Sequence, residues 1–295
     1  MPTHPRVLIL GATGLLGAAL CEAAAARGLT VLAAARQGAA LAVDIGDAAT
    51  LTALLQDQRP DWILNAAAQA SVDACERDPD QAWRVNARPC AILADHARRA
   101  GARLVHVSTD HFFSGDGKAR HGEDAPVRLL NEYARAKYAG EALALTDPGA
   151  LVVRTNMVGL RSRQGTSFGE WAVRLIETDG EGVLFADQYV SLLDVWSLAD
   201  ALLDLAARSD AAGRLNLASS EVFSKAEFVL ALAETLGKPL TRARVGSPRG
   251  ALDVARPDSL GLDASRAEAL LGRRLPNLKQ IVQAVADRIQ AEARA

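Results

Sequence analysis

The stretch RVLILGATGLLG, residues 6–17, decides how the chain folds. Arg6 to Leu10 is a short apolar run that ends at a glycine, as a buried parallel strand does. Three glycines follow at intervals of three, and an alanine-rich helix then continues to about Arg27. The GxxGxxG spacing is weak evidence by itself, but between a strand and a helix it predicts the phosphate-binding turn of a dinucleotide-binding fold.

The glycines of this turn indicate a cofactor site. Glycine permits a tight turn and lets the backbone approach a pyrophosphate closely, while the N-terminus of the next helix offers N–H groups and the positive end of its dipole. A glycine-rich turn without a ligand is the alternative. The residues that we expect to bind the cofactor here are Gly11, Thr13, Gly14, Leu15, Leu16 and Gly17.

The end of the second strand, which we expect over Thr30 to Ala35, indicates which dinucleotide is used. An Asp or Glu there selects a free 2′-hydroxyl, whereas an Arg suits a 2′-phosphate. No acid lies between Glu22 and Asp44, and Arg36 occupies the deciding position. We therefore favour NADPH over NADH, with Arg36 as an ordinary solvated residue as the alternative.

Two further segments are predicted to line the cofactor. Residues 41–45 resemble a short third strand, and an acid at its end could meet the adenine amino group. Residues 61–68 indicate a fourth strand that continues into small residues, which let ribose and phosphates pass close to the backbone. Close packing of a helix on the sheet is the alternative for the second segment. The residues concerned are Asp44, Ile45, Asn65, Ala66 and Ala67.

A long helix is predicted from Asp80 to Ala100, with Asn86 in its middle. Asparagine is mildly unfavourable inside a helix. Asn86 therefore either ties the helix backbone to the active-site strand, in which case it belongs to the cofactor site, or faces water.

Polar residues follow the fifth predicted strand, where the ligands of an open parallel sheet bind. This strand covers Arg103 to Thr109, so a hydroxyl of Ser108 or Thr109 can hydrogen-bond a substrate carbonyl. His111 in the next loop either touches the substrate or is a polar surface group.

The sixth predicted strand, Leu151 to Thr155, ends in the same way. Asn156 and Met157 follow it directly. Because ligands bind beyond strand ends, we expect both side chains to face the site.

The segment NEYARAK, residues 131–137, indicates a pair of groups that transfers protons. It begins a predicted helix from Glu132 to Leu145, on which Tyr133 and Lys137 share one face about 6 Å apart. A nearby ammonium favours an ionised phenol and lowers its pKa. Such a tyrosine can exchange a proton with a substrate oxygen near neutral pH.

Composition narrows the class of protein. The chain has 295 residues, of which 49% are hydrophobic and only 4% aromatic, as expected for one large α/β domain or one with a smaller partner. A net charge of −2 argues against nucleic acid as a partner. There is no membrane-length apolar run and no spacing typical of metal ligands, and three scattered cysteines indicate reduced thiols in a cytoplasmic protein.

The pattern changes after about Leu160, so we expect a dinucleotide-binding domain over residues 1–159 and a mostly substrate-binding region, packed against it, over 160–295. The second part mixes short strands with helices. One of these helices, from Ser224 to Leu236, starts with a capping box in which Glu227 is the third helical residue. A monomer and a homodimer both stay open.

Taken together, these motifs resemble the extended short-chain dehydrogenase/reductase superfamily, and within it the branch of dTDP-4-dehydrorhamnose reductases, which serve dTDP-rhamnose biosynthesis. The resemblance spans nearly the whole chain. It rests on GATGLLG from Gly11, NAAAQASVDACERDP from Asn65, VHVSTDHFFSGDG from Val105, YARAKYAGE from Tyr133, RTN from Arg154, DQY from Asp187 and RPDSLGLD from Arg256.

The resemblance implies a Rossmann-type doubly wound parallel sheet with a smaller mixed α/β substrate region, and it implies a role for each residue. Tyr133 is expected to be the general acid, with Lys137 holding the nicotinamide ribose. Thr109, more than Ser108, is expected to hydrogen-bond the reacting oxygen. The second half is expected to close over a nucleoside-diphosphate sugar through His111, Asn156, Met157, Gln188 and Arg256, with Arg161, Arg163, Lys225 and Arg256 as candidate cations for the diphosphate.

Two positions depart from the family pattern. A tyrosine usually follows STD, where this chain has His111, and a tryptophan usually lies two residues beyond RT, where it has Met157. Both positions border the sugar in that family. The cofactor half and the proton relay therefore match the pattern, while the sugar pocket is altered.

The expected function is reduction of the 4-keto group of a nucleotide-linked deoxysugar by NADPH or NADH. One alternative is an epimerase or dehydratase of the extended family, which retains NAD and returns the hydride. The other is a non-catalytic NADP-binding regulatory subunit. Such a subunit need not keep Tyr133, Lys137 and Thr109 together, and this chain has all three.

Overall fold

The computed structural model describes residues 4–161, 167–247 and 253–294. Its strands, in chain order, are β1 (Arg6–Leu10), β2 (Thr30–Ala35), β3 (Leu41–Ala42), β4 (Trp62–Asn65), β5 (Arg103–Val107), β6 (Leu151–Arg154), β7 (Met157–Val158), β8 (Gly182–Phe185), β9 (Tyr189–Val190), β10 (Leu193–Asp194), β11 (Gly213–Asn216), β12 (Phe223–Ser224), β13 (Ala243–Gly246) and β14 (Ser259–Leu260).

Eleven helices connect these strands within the described ranges. They are α1 (Leu15–Ala26), α2 (Ala48–Gln58), α3 (Val72–Arg77), α4 (Pro79–Asn86), α5 (Arg88–Ala100), α6 (Glu132–Ala144), α7 (Phe168–Glu177), α8 (Val195–Ala206), α9 (Lys225–Thr235), α10 (Ser265–Leu271) and α11 (Leu278–Arg294). None of the helices in the described part of the chain is both long enough and apolar enough to span a bilayer.

The main sheet has seven strands in the order β11-β6-β5-β4-β1-β2-β3. The pairings from β6 through β3 are parallel. The order reverses between β1 and β4, which is the topological switch point of a Rossmann-type sheet. The predicted fold class is therefore confirmed.

Buried strands and amphipathic helices form the core of this sheet. Leu8 is paired with Ile63, and Ile63 with Leu104, so these side chains share one face. Residues of α2, α5 and α6 pack on that face, among them Leu51 and Leu93, which are fully buried. The layer that results holds the carboxyl ends of the strands in fixed positions.

The chain divides into two compact units that alternate along the sequence. Unit 1 comprises the residues up to Thr109 together with 129–154 and 198–215, and it contains most of the main sheet. Unit 2 comprises residues 110–128, 155–197 and those from Asn216 onward, and it contains the small sheets β7–β10, β12–β9–β14 and β8–β13. These units do not follow the expected division at residue 159, because residues 110–128 belong to unit 2 and residues 198–215, which include most of α8 and β11, belong to unit 1.

The predicted helix from Asp80 to Ala100 is wrong as a single helix. It divides into α4 and α5 at Ala87, whose φ is −115° and ψ −63°. Pro89 explains the break, because a proline inside a helix has no N–H for the i−4 carbonyl and its ring collides with that carbonyl. In the first turn of a new helix the same proline is tolerated.

One smaller difference concerns the end of an element. The third strand covers only Leu41–Ala42, so Asp44 and Ile45 lie in the loop that follows it. The helix at Ser224 begins as predicted, with both hydrogen bonds of the capping box to Glu227 present.

Candidate active site

The glycine turn after β1 lies in backbone contact with the turn after β4. Gly11 has a φ of +80°, and a Cβ added there would lie 2.8 Å from the Cα of Ala67. A Cβ added at Gly17 would lie 2.0 Å from the carbonyl oxygen of Gly11. Side chains are therefore excluded at both positions, and two strand ends meet at the switch point of the sheet.

The N-terminus of α1 is open to an anion. Gly14 is its N-cap residue and supplies no side-chain hydrogen bond, and the first turn contains no acidic residue. The N–H groups at Leu15 and Leu16 lie at this positive end of the helix dipole. Thr13 is exposed in the turn. The glycine cradle and this helix end fit the pyrophosphate of a dinucleotide.

Asn65 fixes the small-residue turn after β4. Its side chain is buried, with Nδ2 3.1 Å from Nδ1 of His106 and Oδ1 accepting a hydrogen bond from the N–H of Ala67 at 3.2 Å. Ala66 and Ala67 are half-buried. The turn thus has a defined shape and presents only small side chains.

Asn86 ends α4 rather than lying inside a helix, and it is buried. Its Oδ1 accepts from the N–H of Gln69 at 2.8 Å, and its Nδ2 donates to the carbonyl oxygen of Gln69 at 3.1 Å. The prediction that it faces water is wrong. The prediction of a tie needs correction, because the partner is the loop after β4 and not the strand.

The candidate adenosine residues lie near the ends of β2 and β3. Arg36 directly follows β2 and is exposed. The Asp44 carboxylate is half-buried and accepts a hydrogen bond from the N–H of Gly46 at 2.9 Å, while Ile45 is buried. An exposed guanidinium after β2 fits a 2′-phosphate.

The relay residues lie on α6 and at the end of β5, all within unit 1. The Asn131 side chain caps α6 by accepting from the N–H of Ala134 at 2.9 Å. Tyr133 is half-buried and packs against Cys75, Ala82 and Ala136. Lys137 is buried and its Nζ donates to the carbonyl oxygen of Val107 at 2.7 Å. The lysine therefore anchors α6 to the strand that leads to Thr109.

The ammonium of Lys137 lies in a mostly uncharged environment. Burial lowers its pKa, while Cys90 and Glu141 act in the opposite direction. Burial raises the pKa of the Cys90 thiol to about 11. Burial and the Lys137 charge hold the pKa of His106 well below its usual range. Cys90 and His106 are thus neutral near pH 7, and the carboxylate of Glu141 opposes the effect of burial on Lys137.

Ser108 is turned toward a buried carboxylate. Its Oγ donates to Oε1 of Glu141 at 2.7 Å. Arg154 donates to both oxygens of the same group, from Nε at 2.9 Å and from Nη2 at 2.8 Å, and Nε of Arg214 lies 3.3 Å from Oε2. Both Glu141 and Arg154 are buried. Of the two hydroxyls after β5, Ser108 is engaged in the interior.

The predicted substrate residues all lie in unit 2. Asn156 is half-buried, donates from Nδ2 to Oδ2 of Asp110 at 2.7 Å, and accepts from the N–H of Met157 at 2.8 Å. His111 is half-buried, and burial together with Arg256 and Lys225 lowers its pKa to about 4. The prediction of a surface histidine is therefore wrong, and the ring is neutral near pH 7.

Lys225 and Arg256 bring positive charge to this cluster. Burial lowers the pKa of Lys225 to about 8, with Asp110 raising it and Arg256 lowering it further. The backbone N–H of Lys225 donates to the carbonyl oxygen of Gln188 at 3.1 Å, and Nε2 of Gln188 donates to that of Pro257 at 3.4 Å. Lys225 and Arg256 therefore both add positive charge near the neutral ring of His111.

Unit 2 also contains a cavity of about 570 Å³. Aromatic rings and cations share its wall, and Nζ of Lys225 lies 5.2 Å from the centre of the Phe168 ring. The residues that line the cavity include Phe168, Trp171, Arg174, Lys225 and Ser247. Arg161 is exposed, and Arg163 lies outside the described residues. Within the described ranges, no cluster of three or more His, Cys, Asp or Glu side chains could hold a metal ion.

Sequence reasoning missed several residues that shape the site. His106 and Arg154 lie in strands and look like ordinary interior positions. Glu141 gives one signal, because it continues the spacing of four from Tyr133 through Lys137 and so lies on the same helix face. Gly140 gives none, although a Cβ there would lie 2.3 Å from the carbonyl oxygen of Asn86.

A doubly wound sheet, a glycine cradle at its switch point and a Tyr-x-x-x-Lys helix beside a Ser-Thr strand end define a member of the extended short-chain dehydrogenase/reductase class. Comparison with known proteins agrees, since the profile of the RmlD substrate binding domain matches residues 5–291. The chain therefore belongs to the RmlD substrate binding domain family, the branch that includes the dTDP-4-dehydrorhamnose reductases.

Individual relatives support this assignment. The spore coat polysaccharide biosynthesis protein SpsK of Bacillus subtilis is 32% identical over 79% of this chain and 80% of its own length. A dTDP-4-dehydrorhamnose reductase of Mycolicibacterium smegmatis is 33% identical over 89% of this chain and 79% of its own. The solved structure of the Bacillus anthracis dTDP-4-dehydrorhamnose reductase in complex with NADP is similar with a TM-score of 0.87, at 25% identity, over 97% of this chain and 100% of that one.

Proposed function

We propose that the protein is an NADPH-dependent reductase of a nucleotide-linked 4-keto-deoxysugar, with Tyr133 as the general acid. One observation carries the proposal. The buried ammonium of Lys137 is bonded to Val107, two residues before Thr109, and lies one helical turn from Tyr133. This bond supports a site in which Tyr133, Lys137 and Thr109 act together at one strand end, where an open α/β sheet binds its ligands.

The cofactor is proposed to bind along the switch point of unit 1. Its pyrophosphate would lie over the glycine cradle and the start of α1, and Arg36 would meet a 2′-phosphate. The Bacillus anthracis relative, solved with NADP, supports this choice of dinucleotide. When bound, NADPH supplies the hydride that the carbonyl carbon of the sugar accepts.

The residues of unit 1 supply the proton and stabilise the charge that develops on the carbonyl oxygen and on Tyr133. The Thr109 hydroxyl donates a hydrogen bond to the carbonyl oxygen, and Tyr133 gives that oxygen its phenolic proton, so that a hydroxyl forms at C4. Lys137 stabilises the phenolate that remains, because an opposite charge nearby favours the ionised form. Ser108, whose hydroxyl bonds Glu141, acts on the position of the strand end and not on the substrate.

The residues of unit 2 suit a nucleoside diphosphate. Lys225 and Arg256 both act electrostatically on His111, and two cations near one point suit a diphosphate. The cavity beside them offers Phe168 and Trp171, whose rings suit the flat face of a base. We propose that Asn156, Met157 and His111 border the sugar.

The names of the relatives support dTDP-4-dehydrorhamnose as the first substrate to test. The decisive assay follows NADPH and NADH oxidation against a panel of nucleotide 4-keto sugars. We expect one or more of the dTDP-linked 6-deoxy-4-keto sugars to consume NADPH stoichiometrically. A purified protein that carries NAD and consumes no NAD(P)H would indicate the epimerase or dehydratase alternative, and binding of NADP without turnover of any sugar would indicate a regulatory subunit.

A further inference from the structure

Glu141 is a buried carboxylate on the relay helix that no step of the proposed reaction uses. It lies four residues after Lys137 and eight after Tyr133, so all three share one face of α6. Its side chain is 0% exposed. A charge buried this completely has to be matched by hydrogen bonds.

The hydrogen bonds of Glu141 reach three strands of unit 1. They come from Ser108 after β5, from Arg154 at the end of β6, and from Arg214 in β11. Four donors occupy the two oxygens, which is about the full acceptor capacity of a carboxylate. The two oxygens of Glu141 can therefore neither rotate nor shift without losing partners.

Helix α6 is consequently attached to the end of β5 at two consecutive residues. Nζ of Lys137 bonds the carbonyl oxygen of Val107, and one turn later Glu141 bonds the hydroxyl of Ser108. Two bonds, one turn apart on the helix and adjacent on the strand, restrict both sliding and rotation of the helix. Thr109 is the next residue of the strand.

We propose that Glu141, clamped by Arg154, is a positioning residue that sets the relay helix against the end of β5 and thereby aligns Tyr133 and Lys137 with Thr109. This inference rests on the proposed roles of Tyr133 and Lys137. In the proposed reaction the buried Glu141–Arg154 ion pair contacts neither cofactor nor substrate. It acts by holding α6 in position.

Stability alone does not account for this ion pair. A buried pair loses hydration on both sides, and well-packed apolar side chains can replace it with equal or better stability. A bidentate Arg–carboxylate contact instead supplies direction, because its two parallel bonds fix the plane of the carboxylate. A fixed orientation is useful in an active site, because small displacements of the reacting groups lower the reaction rate.

Glu141 also faces the Lys137 ammonium and raises its pKa against the effect of burial. The Cys90 thiol from α5 and the His106 ring from β5 also interact with that ammonium, and Tyr133 lies one turn before it on α6. Cys90 and His106 are neutral near pH 7. Removing the Glu141 charge should therefore let Lys137 lose its proton at a lower pH.

Three variants separate the charge from the geometry. Glu141→Gln removes the charge and keeps the size of the side chain. Ser108→Ala keeps the ion pair and removes one attachment to the strand. Asp210→Asn is the control, because it breaks an exposed ion pair with Arg208 elsewhere in unit 1. Each variant is characterised by circular dichroism, by NADPH affinity between pH 6 and 10, and by kcat and KM.

For Glu141→Gln we expect a native circular dichroism spectrum, a kcat lower by about 10²-fold, and loss of NADPH affinity that begins at a lower pH than in the wild type. For Ser108→Ala we expect a kcat lower by about tenfold with an unmoved pH dependence. Asp210→Asn should match the wild type throughout.

Wild-type kcat and an unmoved NADPH profile in Glu141→Gln would overturn the proposal. Wild-type kcat in Ser108→Ala together with an unfolded Glu141→Gln would also overturn it, because the ion pair would then be needed only for folding. The binding profile requires no sugar substrate. A wild-type protein that turns over no sugar while Glu141→Gln shows the shifted profile would therefore remove the proposed function and keep the inference for Lys137.

Discussion

The two compact units hold their candidate site residues by different means. In unit 1 the positions are fixed by backbone contacts and by fully buried polar groups, as with Gly11 against Ala67 and Glu141 against Arg154. In unit 2 the side chains of His111, Lys225 and Arg256 are only half-buried, and both cations act electrostatically on the His111 ring. The first arrangement tolerates little change, whereas the second can be altered one side chain at a time.

This difference separates the chemistry from the choice of substrate. Cofactor and proton relay require distances that a rigid sheet can maintain, and the predicted glycines and relay residues lie in unit 1. Both departures from the family pattern, His111 and Met157, lie in unit 2. We infer that changes in unit 1 will reduce the rate for every substrate, while changes in unit 2 will redistribute activity among substrates.

The largest effect is expected from Tyr133→Phe, which removes the proposed acid and leaves the ring in place. We expect kcat to fall by about 10²–10⁴-fold with unchanged NADPH affinity, because general acid catalysis contributes on that scale. Steady-state kinetics and NADPH titration measure both. Tyr138→Phe, five residues further along α6, is the matched control and should retain wild-type kcat. Near wild-type turnover in Tyr133→Phe would exclude this residue as the acid.

Lys137→Ala should weaken NADPH binding about tenfold and move the pH profile of kcat upward. The upward direction follows because the ammonium favours the ionised phenol, so its loss raises the pH at which the phenol ionises. The measurement is kcat from pH 6 to 10 with NADPH affinity at each pH. Lys137→Ala with the wild-type affinity and profile would show that the buried ammonium serves only to fix α6 to Val107.

Gly11→Ala tests the rigidity of unit 1, with Gly28→Ala as a matched control. Both glycines have positive φ, +80° and +70°, but only at Gly11 would the added Cβ collide with another backbone segment. Gly28→Ala should cost only the left-handed strain, about 1–2 kcal/mol of unfolding free energy. Gly11→Ala should cost more and weaken NADPH binding at least about tenfold. Equal NADPH affinity in the two variants would contradict the contact between the turns.

Local patterns were enough to predict most of the fold. The apolar run, the glycine spacing and the alanine-rich helix that follows specify β1, its turn and α1, and Thr30–Ala35 is β2 as predicted. The helical pattern from Asp80 to Ala100 led to the prediction of one helix, although Pro89 within it ends α4 and starts α5.

The site was predictable only where its residues are close in sequence or lie at strand ends. Tyr133 and Lys137 are four residues apart, and the rule for ligands beyond strand ends selected Thr109 and Asn156. Local spacing could not bring His111 together with Lys225 and Arg256, because more than a hundred residues separate His111 from either cation. Only the family resemblance assigned all three to the substrate region.

Lys225→Gln should have the smallest effect and should act on the substrate alone. Lys225 has a pKa of about 8, so its ammonium is present below that pH and lost above it. We therefore expect KM for the sugar nucleotide to rise as pH passes 8, and to be raised about tenfold at pH 7 in the variant, with NADPH affinity unchanged. Lys238→Gln, at an exposed lysine of unit 2, is the control. A wild-type KM that does not change between pH 7 and 9 would show that Lys225 does not bind the diphosphate.

The most direct measurement follows the hydride itself. NADPH deuterated at both C4 positions of its nicotinamide is incubated with the wild-type protein and a dTDP-linked 4-keto-6-deoxysugar, and the sugar product is analysed by mass spectrometry and NMR. We predict one deuterium at sugar C4 for each NADPH oxidised, and its near absence with Tyr133→Phe in the same time. A product that contains no deuterium, with NADPH left unconsumed, would contradict the assignment of this protein as a reductase.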